Sequence, residues 1–169
     1  VAGGPQFTHA AGYQAGVVLK RALFGLFWAK ADHNLMPWVT YTDPELANVG
    51  LTEAAAREIH GDDVRIVTAA FEENDRARTE HRTDGMVKAV VGPKGRILGA
   101  GIVGYHAGEL IQPWILAISQ KLKIGAMAQM IAPYPTLGEI NKRAAGAYYT
   151  PSLFSNRTRK IVRLLAKLG

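Results

Sequence analysis

Cysteine is absent from the 169 residues. That excludes a disulfide framework, a thiolate metal site and a redox dithiol within the chain. Long apolar runs are missing as well. The nearest, Val17 to Ala29, is broken by Lys20 and Arg21 and has helical rather than continuous apolar character. The N-terminus lacks the charged, apolar and small-residue succession of a signal peptide, and a cytoplasmic location is expected. Internal repeats and low-complexity tracts do not occur. Five histidines are present (His9, His33, His60, His81 and His106), but none pairs with another at metal-ligand spacing. No metal site is therefore expected. His106, between the Gly104 strand end and Glu109, is the hardest of them to set aside as structural. Ser119, Ser152 and Ser155 stand in no nucleophile-elbow setting, so a small hydrolase finds little support.

What is there suits one globular core. Hydrophobic residues make up 48% and charged residues 20%, proportions of a chain that can bury a substantial interior. A net charge of +6 invites a nucleic-acid reading, yet the basic residues are spread along the sequence. Their one concentration is terminal: Arg157, Arg159, Lys160, Arg163 and Lys167. Ile161, Leu164, Leu165 and Leu168 recur between them at helical spacing, giving an amphipathic helix within 151–169. Such a helix could touch acidic lipid headgroups or phosphate. The preferred reading is a solvated basic face on a helix packed against a core or partner, with no nucleic-acid partner.

Periodicity and turn residues give an order of elements. A glycine- and proline-rich turn over Val1 to Pro5 leads into a helix that Thr8 would cap and that would run to about Trp28. Leu35 to Thr42 has the β-branched and aromatic content of a strand. Thr52 caps a short alanine-rich helix closing at Gly61. Val64 to Phe71 reads as a strand, and Glu72 to Asp84 as a charged surface excursion whose Arg76 and Arg78 read first as exposed loop residues and second as anion contacts. Met86 to Val91 and Arg96 to Tyr105 form a hairpin through Gly92-Pro93-Lys94-Gly95. Alternate glycines at 99, 101 and 104 suggest a helix packed closely on the sheet rather than a phosphate loop. Ala107 to Leu122 reads as a helix, provided that Pro113 lies near its first turn. Helices at Gly125 to Met130, Glu139 to Ala147 and the basic tail follow. The pattern is α+β, an antiparallel sheet flanked by helices.

One segment carries the chemistry: Ala132-Pro133-Tyr134-Pro135-Thr136-Leu137-Gly138-Glu139. The prolines stiffen the loop on which Tyr134 is presented. Glu139 opens a helix, where a carboxylate suits the macrodipole. From these residues alone the segment reads first as a helix start with an anchoring tyrosine, and second as a placed acid/base group.

Tyr134-Pro135-Thr136-Leu137-Gly138-Glu139 resembles the His-Pro-Thr-x-x-Glu signature of the pyridine nucleotide-disulfide oxidoreductases, flavoproteins that include dihydrolipoamide dehydrogenase, glutathione reductase and mercuric reductase. Thr42-Asp43-Pro44-Glu45-Leu46-Ala47-Asn48-Val49-Gly50-Leu51-Thr52-Glu53 is similar to another stretch of that family. Gly85 to Val91, Ile97 to Gly104 and Ala107 to Ile111 follow in the family's order. The resemblance covers the chain to about Gly146 and implies the family's C-terminal dimerisation domain.

That resemblance carries further expectations. Residues 1–30 would continue from an FAD domain, 31–150 would form the dimerisation domain, and 151–169 the basic helix. The chain starts without methionine, just after the position of a family Gly-Asp pair, so a longer natural protein is expected. FAD and NAD(P)H would serve that longer protein, with none bound by this fragment, which would be inactive alone. The Thr8/His9 turn would lie beneath the flavin pyrimidine, although in the isolated chain it reads as an ordinary capped helix. Tyr134 would take the place of the family's acid/base histidine and Glu139 that of the glutamate orienting it. Both would reach the active site of a second copy in a homodimer. A tyrosine titrates near ~10 where a histidine titrates near ~6.5, so Tyr134 is a poor base at neutral pH but a competent hydrogen-bond donor. Mercuric reductases carry a similar tyrosine but also a C-terminal cysteine pair, which this chain lacks. A mercuric-reductase-like flavoprotein of unassigned substrate is therefore expected, and a stand-alone dimeric binding module without redox activity is the alternative.

Overall fold

The computed structural model describes residue 4 and residues 6–167. Of the expected N-terminal turn, Val1, Ala2, Gly3 and Pro5 lie outside the described residues, as does Leu168 of the tail helix. The chain folds as an α+β domain around a five-stranded antiparallel sheet of order β1-β2-β5-β4-β3. The strands are β1 (Trp38–Thr40), β2 (Glu45–Gly50), β3 (Arg65–Ala70), β4 (Met86–Val91) and β5 (Ile97–Gly104).

Two-residue alternation explains the sheet's faces. Val87, Ala89 and Val91 of β4, with Ala100 and Ile102 of β5, face the main core. Val90 and the partly buried Leu98 face the other side, where they meet Ala56 of α2 (Glu53–His60). The main core is closed by α4 (Ala107–Leu110), α5 (Gln112–Ser119), α6 (Ile124–Gln129) and α7 (Glu139–Ala147). Phe71, Trp114, Ile111 and Ile140 are among its large, fully buried side chains. Within it Trp114 Nε1 donates to Asn141 Oδ1 (2.8 Å), and Asn141 Nδ2 donates to the Leu110 carbonyl (2.9 Å). One buried amide thereby fixes α7 against α4 and α5.

Local chemistry placed several elements where expected. Thr52 Oγ1 accepts from Ala55 N at the start of α2, and Gly61 closes that helix. The β4–β5 hairpin turns through Gly92–Gly95, and Pro113 sits in the first turn of α5.

Other expectations need correction. The N-terminal helix, α1 (Thr8–Phe24), is preceded by Phe7 as N-cap, because Thr8 is already helical, and it stops before Gly25 (φ 60°) rather than near Trp28. The first strand is shorter than Leu35 to Thr42: residues 33–35 form a 3-10 turn, and Pro37, without an N–H, precedes the ladder. β2 was not foreseen, since Glu45, Asn48 and Gly50 are poor strand formers. It exists through pairing with β5 from Glu45↔Gly104 to Gly50↔Gly99. Residues 72–84 are no mere surface excursion. They contain α3 (Asp75–Thr79), whose N-cap Asn74 is buried with Phe71 and Ala77. The span 107–122 divides into α4 and α5 at Ile111. The β5 glycines are approached not by a helix but by the Leu51 backbone at Gly99, by Asn48 Oδ1 at Gly101 and by the Phe71 ring at Gly104. The tail comprises α8 (Thr150–Leu153) and α9 (Asn156–Leu165). Among the described residues no helix is long and apolar enough to cross a membrane.

Candidate functional site

The loop between α6 and α7 is braced from within and from α3. Thr136 Oγ1 donates to the Pro133 carbonyl (2.6 Å), and the Tyr134–Pro135 peptide is cis. Asn74 Nδ2 donates to the Thr136 carbonyl at 3.1 Å, while Asn74 Oδ1 accepts from Ala77 N at 2.9 Å. One buried amide thus caps α3 and holds the loop. Next to it, the Tyr134 hydroxyl donates to Asp75 Oδ2 at 2.9 Å. The loop's tip is nonetheless open: Ile131 is 93% exposed and Tyr134 69%.

Asp75 pushes the Tyr134 hydroxyl above its ordinary value of 10.0, by accepting its hydrogen bond and by its negative charge. Glu139, at the first position of α7, adds a weaker charge effect in the same direction. The two residues expected to work together are therefore near in effect, but the tyrosine's hydrogen-bond partner is Asp75. Sequence reasoning missed Asp75 within a stretch dense in charge. The signal that could have found it was Asn74-Asp75 as a helix start, an N-cap followed by an acid.

Beside this loop an open cleft of about 270 Å³ is lined by Arg76, Glu80, Tyr105, His106 and residues 135–137. His106 holds a left-handed backbone (φ 58°) at the start of α4, and its ring lies 3.9 Å from that of Tyr105. Arg82 sits 5.1 Å from the Tyr105 ring and pairs with Asp43 at 3.3 Å. Glu45 Oε2 accepts from Gly108 N at 2.9 Å. The Pro44-Glu45 stretch and the Ala107-Gly108-Glu109 stretch, distant in sequence, thus meet through a carboxylate on a helix's first turn.

Thr8 and His9 lie elsewhere, at the start of α1. His9 Nε2 donates to the Pro37 carbonyl (2.8 Å), and its ring stacks with Phe7. No hydrogen bond among the described residues joins them to the Tyr134 loop. A larger open cleft, about 870 Å³, is lined by His60, Lys94, Arg96, Leu98, Lys121 and Lys123 among others. It shares no lining residue with the Tyr134 cleft and was not anticipated from the sequence.

The sequence profile described as "Pyridine nucleotide-disulphide oxidoreductase, dimerisation domain" matches residues 36–145. The chain belongs to this family. Mercuric reductase from Staphylococcus aureus is 40% identical over 143 residues, which cover 84% of this chain and 26% of that protein. Dihydrolipoyl dehydrogenase from Rhizobium etli is 37% identical over 146 residues, covering 85% and 30% respectively. Among solved structures, the Cu(II) complex of the HOCl-induced flavoprotein disulfide reductase RclA from Escherichia coli superposes with a TM-score of 0.78. The sequence identity there is 28%, with 85% of this chain and 33% of that one covered. The chain therefore spans about a quarter to a third of the length of these relatives. Within the dimerisation-domain match fall Glu45, Asp75, His106, Tyr134 and Glu139; α1 with Thr8 and His9, and α9, fall outside it.

Proposed function

We propose that this chain is the dimerisation part of a mercuric-reductase-like, FAD- and NAD(P)-dependent oxidoreductase. In this reading it self-associates, is inactive alone, and delivers the Tyr134 loop with Glu139 to the active site of a second copy. The observation that carries the reading is the form of that loop: held by Asn74 at the Thr136 carbonyl and by Asp75 at the Tyr134 hydroxyl, yet open to solvent at Ile131 and the Tyr134 ring. A stiff, exposed apolar tip is suited to insertion into a partner surface without a large ordering cost.

Tyr134 acts here as a donor. With its ionisation pushed up by Asp75, the hydroxyl keeps its proton throughout the neutral range. On dimer formation it would exchange Asp75 for an electron-rich atom of the substrate or partner, with Glu139 supporting the protonated form by its charge. Extraction of a thiol proton by this group is not expected.

Residues 1–30 are assigned to the junction with an FAD domain, 31–150 to the dimerisation domain and 151–169 to an added basic helix. The apolar surface of α1 and its following turn, with Leu19, Leu23, Phe24, Phe27 and Trp28 exposed, supports the first assignment. The first turn of α1 has no acidic residue and no capping side chain, which suits negative charge. Thr8 and His9 would there offer backbone N–H groups to the pyrimidine edge of FAD. The flavin, when bound, supplies electron transfer between nicotinamide and substrate.

Removal of α7 is a blunt test of dimerisation, because Ile140, Asn141, Ala144 and Ala145 belong to the core. Ile131→Arg changes only the exposed tip. Sedimentation equilibrium should show a dimer for the unaltered chain and a dissociation constant raised by about tenfold or more for Ile131→Arg, with the circular dichroism unchanged. A monomeric parent chain, or a dimer indifferent to this substitution, would overturn the proposal.

A further inference from the structure

We propose that α9 is an in-plane anchor for an anionic lipid bilayer. The helix has no buried residue, and its close neighbour is the short α8. Ile161, Val162, Leu164 and Leu165 are all exposed, as are Leu153 and Phe154 just before the helix. At 3.6 residues per turn the apolar four fall on one side, whereas Arg159, Lys160 and Arg163 fall on the other; Arg157 lies on the apolar side in the first turn, and Lys167 follows the end of the helix. A strongly charged face opposite a compact apolar one, with low net hydrophobicity, is the pattern of helices that lie at a lipid interface.

Charge selects the occupant. No Asp or Glu follows Glu139 in the sequence, while Lys142, Arg143, Arg157, Arg159, Lys160, Arg163 and Lys167 do. None of the α9 cations has an ion-pair partner among the described residues. A second α9 laid against this one would set cation beside cation with no acid to relieve them. Nucleic acid would take the basic face but leave Ile161, Leu164 and Leu165 in water. An anionic bilayer takes both, phosphate and carboxylate headgroups meeting the cations while the apolar side chains enter the acyl boundary.

The helix is also built to be displayed. Ser155 Oγ accepts from Thr158 N (3.2 Å), and Thr158 Oγ1 donates to the Ser152 carbonyl (2.7 Å), so the α8–α9 corner is fixed locally. So short a helix is marginal in water without a surface to receive its apolar side. Since α9 contributes nothing to the core, it can be altered without unfolding the sheet domain.

Co-sedimentation of the full chain with phosphatidylcholine vesicles, with and without phosphatidylserine, tests this. Binding should require phosphatidylserine and weaken with added salt. It should fall roughly fivefold for each cation removed in the series Arg159→Gln, Lys160→Gln and Arg163→Gln. Leu164→Asp with Leu165→Asp should abolish it, as should a stop after Ser155, with unchanged circular dichroism from the sheet. Binding that survives the stop, or equal binding to neutral vesicles, would overturn the proposal. So would failure to bind at all. Affinity for duplex DNA that persists in the double Leu→Asp variant, with none for vesicles, would reassign the helix to nucleic acid.

Discussion

Tyr134 illustrates how one carboxylate sets a residue's chemistry. Its hydroxyl donates to Asp75 across a sequence separation of 59 residues. The negative charge penalises the phenolate, so the folded-state ionisation lies above the ordinary value of 10.0. A raised folded value means that the contact stabilises the fold below that ordinary value. This contribution is lost as pH rises through the raised one. Asp75→Asn keeps an acceptor but removes the charge. The phenolate ultraviolet band of Tyr134, taken as the difference from Tyr134→Phe, should then appear at lower pH than in the unaltered chain. An unmoved transition would mean that Asp75 does not control the tyrosine. The separation of this pair is also why Asp75 escaped sequence reasoning. Tyr134 could be picked out by its prolines and its resemblance to a known signature, whereas its partner depended on the tertiary fold.

At the scale of elements, position follows from a few buried polar contacts as much as from apolar packing. Asn141 is the clearest case, since α7 carries Glu139 at its first position and Asn141 two residues further in. Asn141→Leu would leave Trp114 Nε1 and the Leu110 carbonyl without their partners in a buried core. The expected loss is about 2–4 kcal/mol, read as a lower urea midpoint with an unchanged slope. A loss near zero would show that α7 is held by packing alone. Elements dictated by local chemistry were legible in the sequence: α2 with Thr52 and Gly61, the β4–β5 hairpin with its Gly-Pro-Lys-Gly turn, and α7. Those dictated by neighbours were not. β2 is a strand because β5 lies beside it, its glycines leaving room for Leu51 and Asn48. α3 buries only Ala77 among its own residues, too little to leave an apolar period.

The whole molecule divides its surface by purpose. The sheet and α4–α7 enclose the core, the loop at 131–136 projects from it, and α1 and α9 hold apolar surface outside it. The central claim is that the projecting loop lies in the interface between two copies. Replacing Ile131 with a photo-activated benzoylphenylalanine and irradiating the purified chain tests that contact directly. We expect a covalent species of twice the single-chain mass, joined from position 131 to the other copy and abolished by dilution to the monomer. A chain that dimerises in solution yet gives no inter-chain product from this position would place the interface elsewhere and contradict the account.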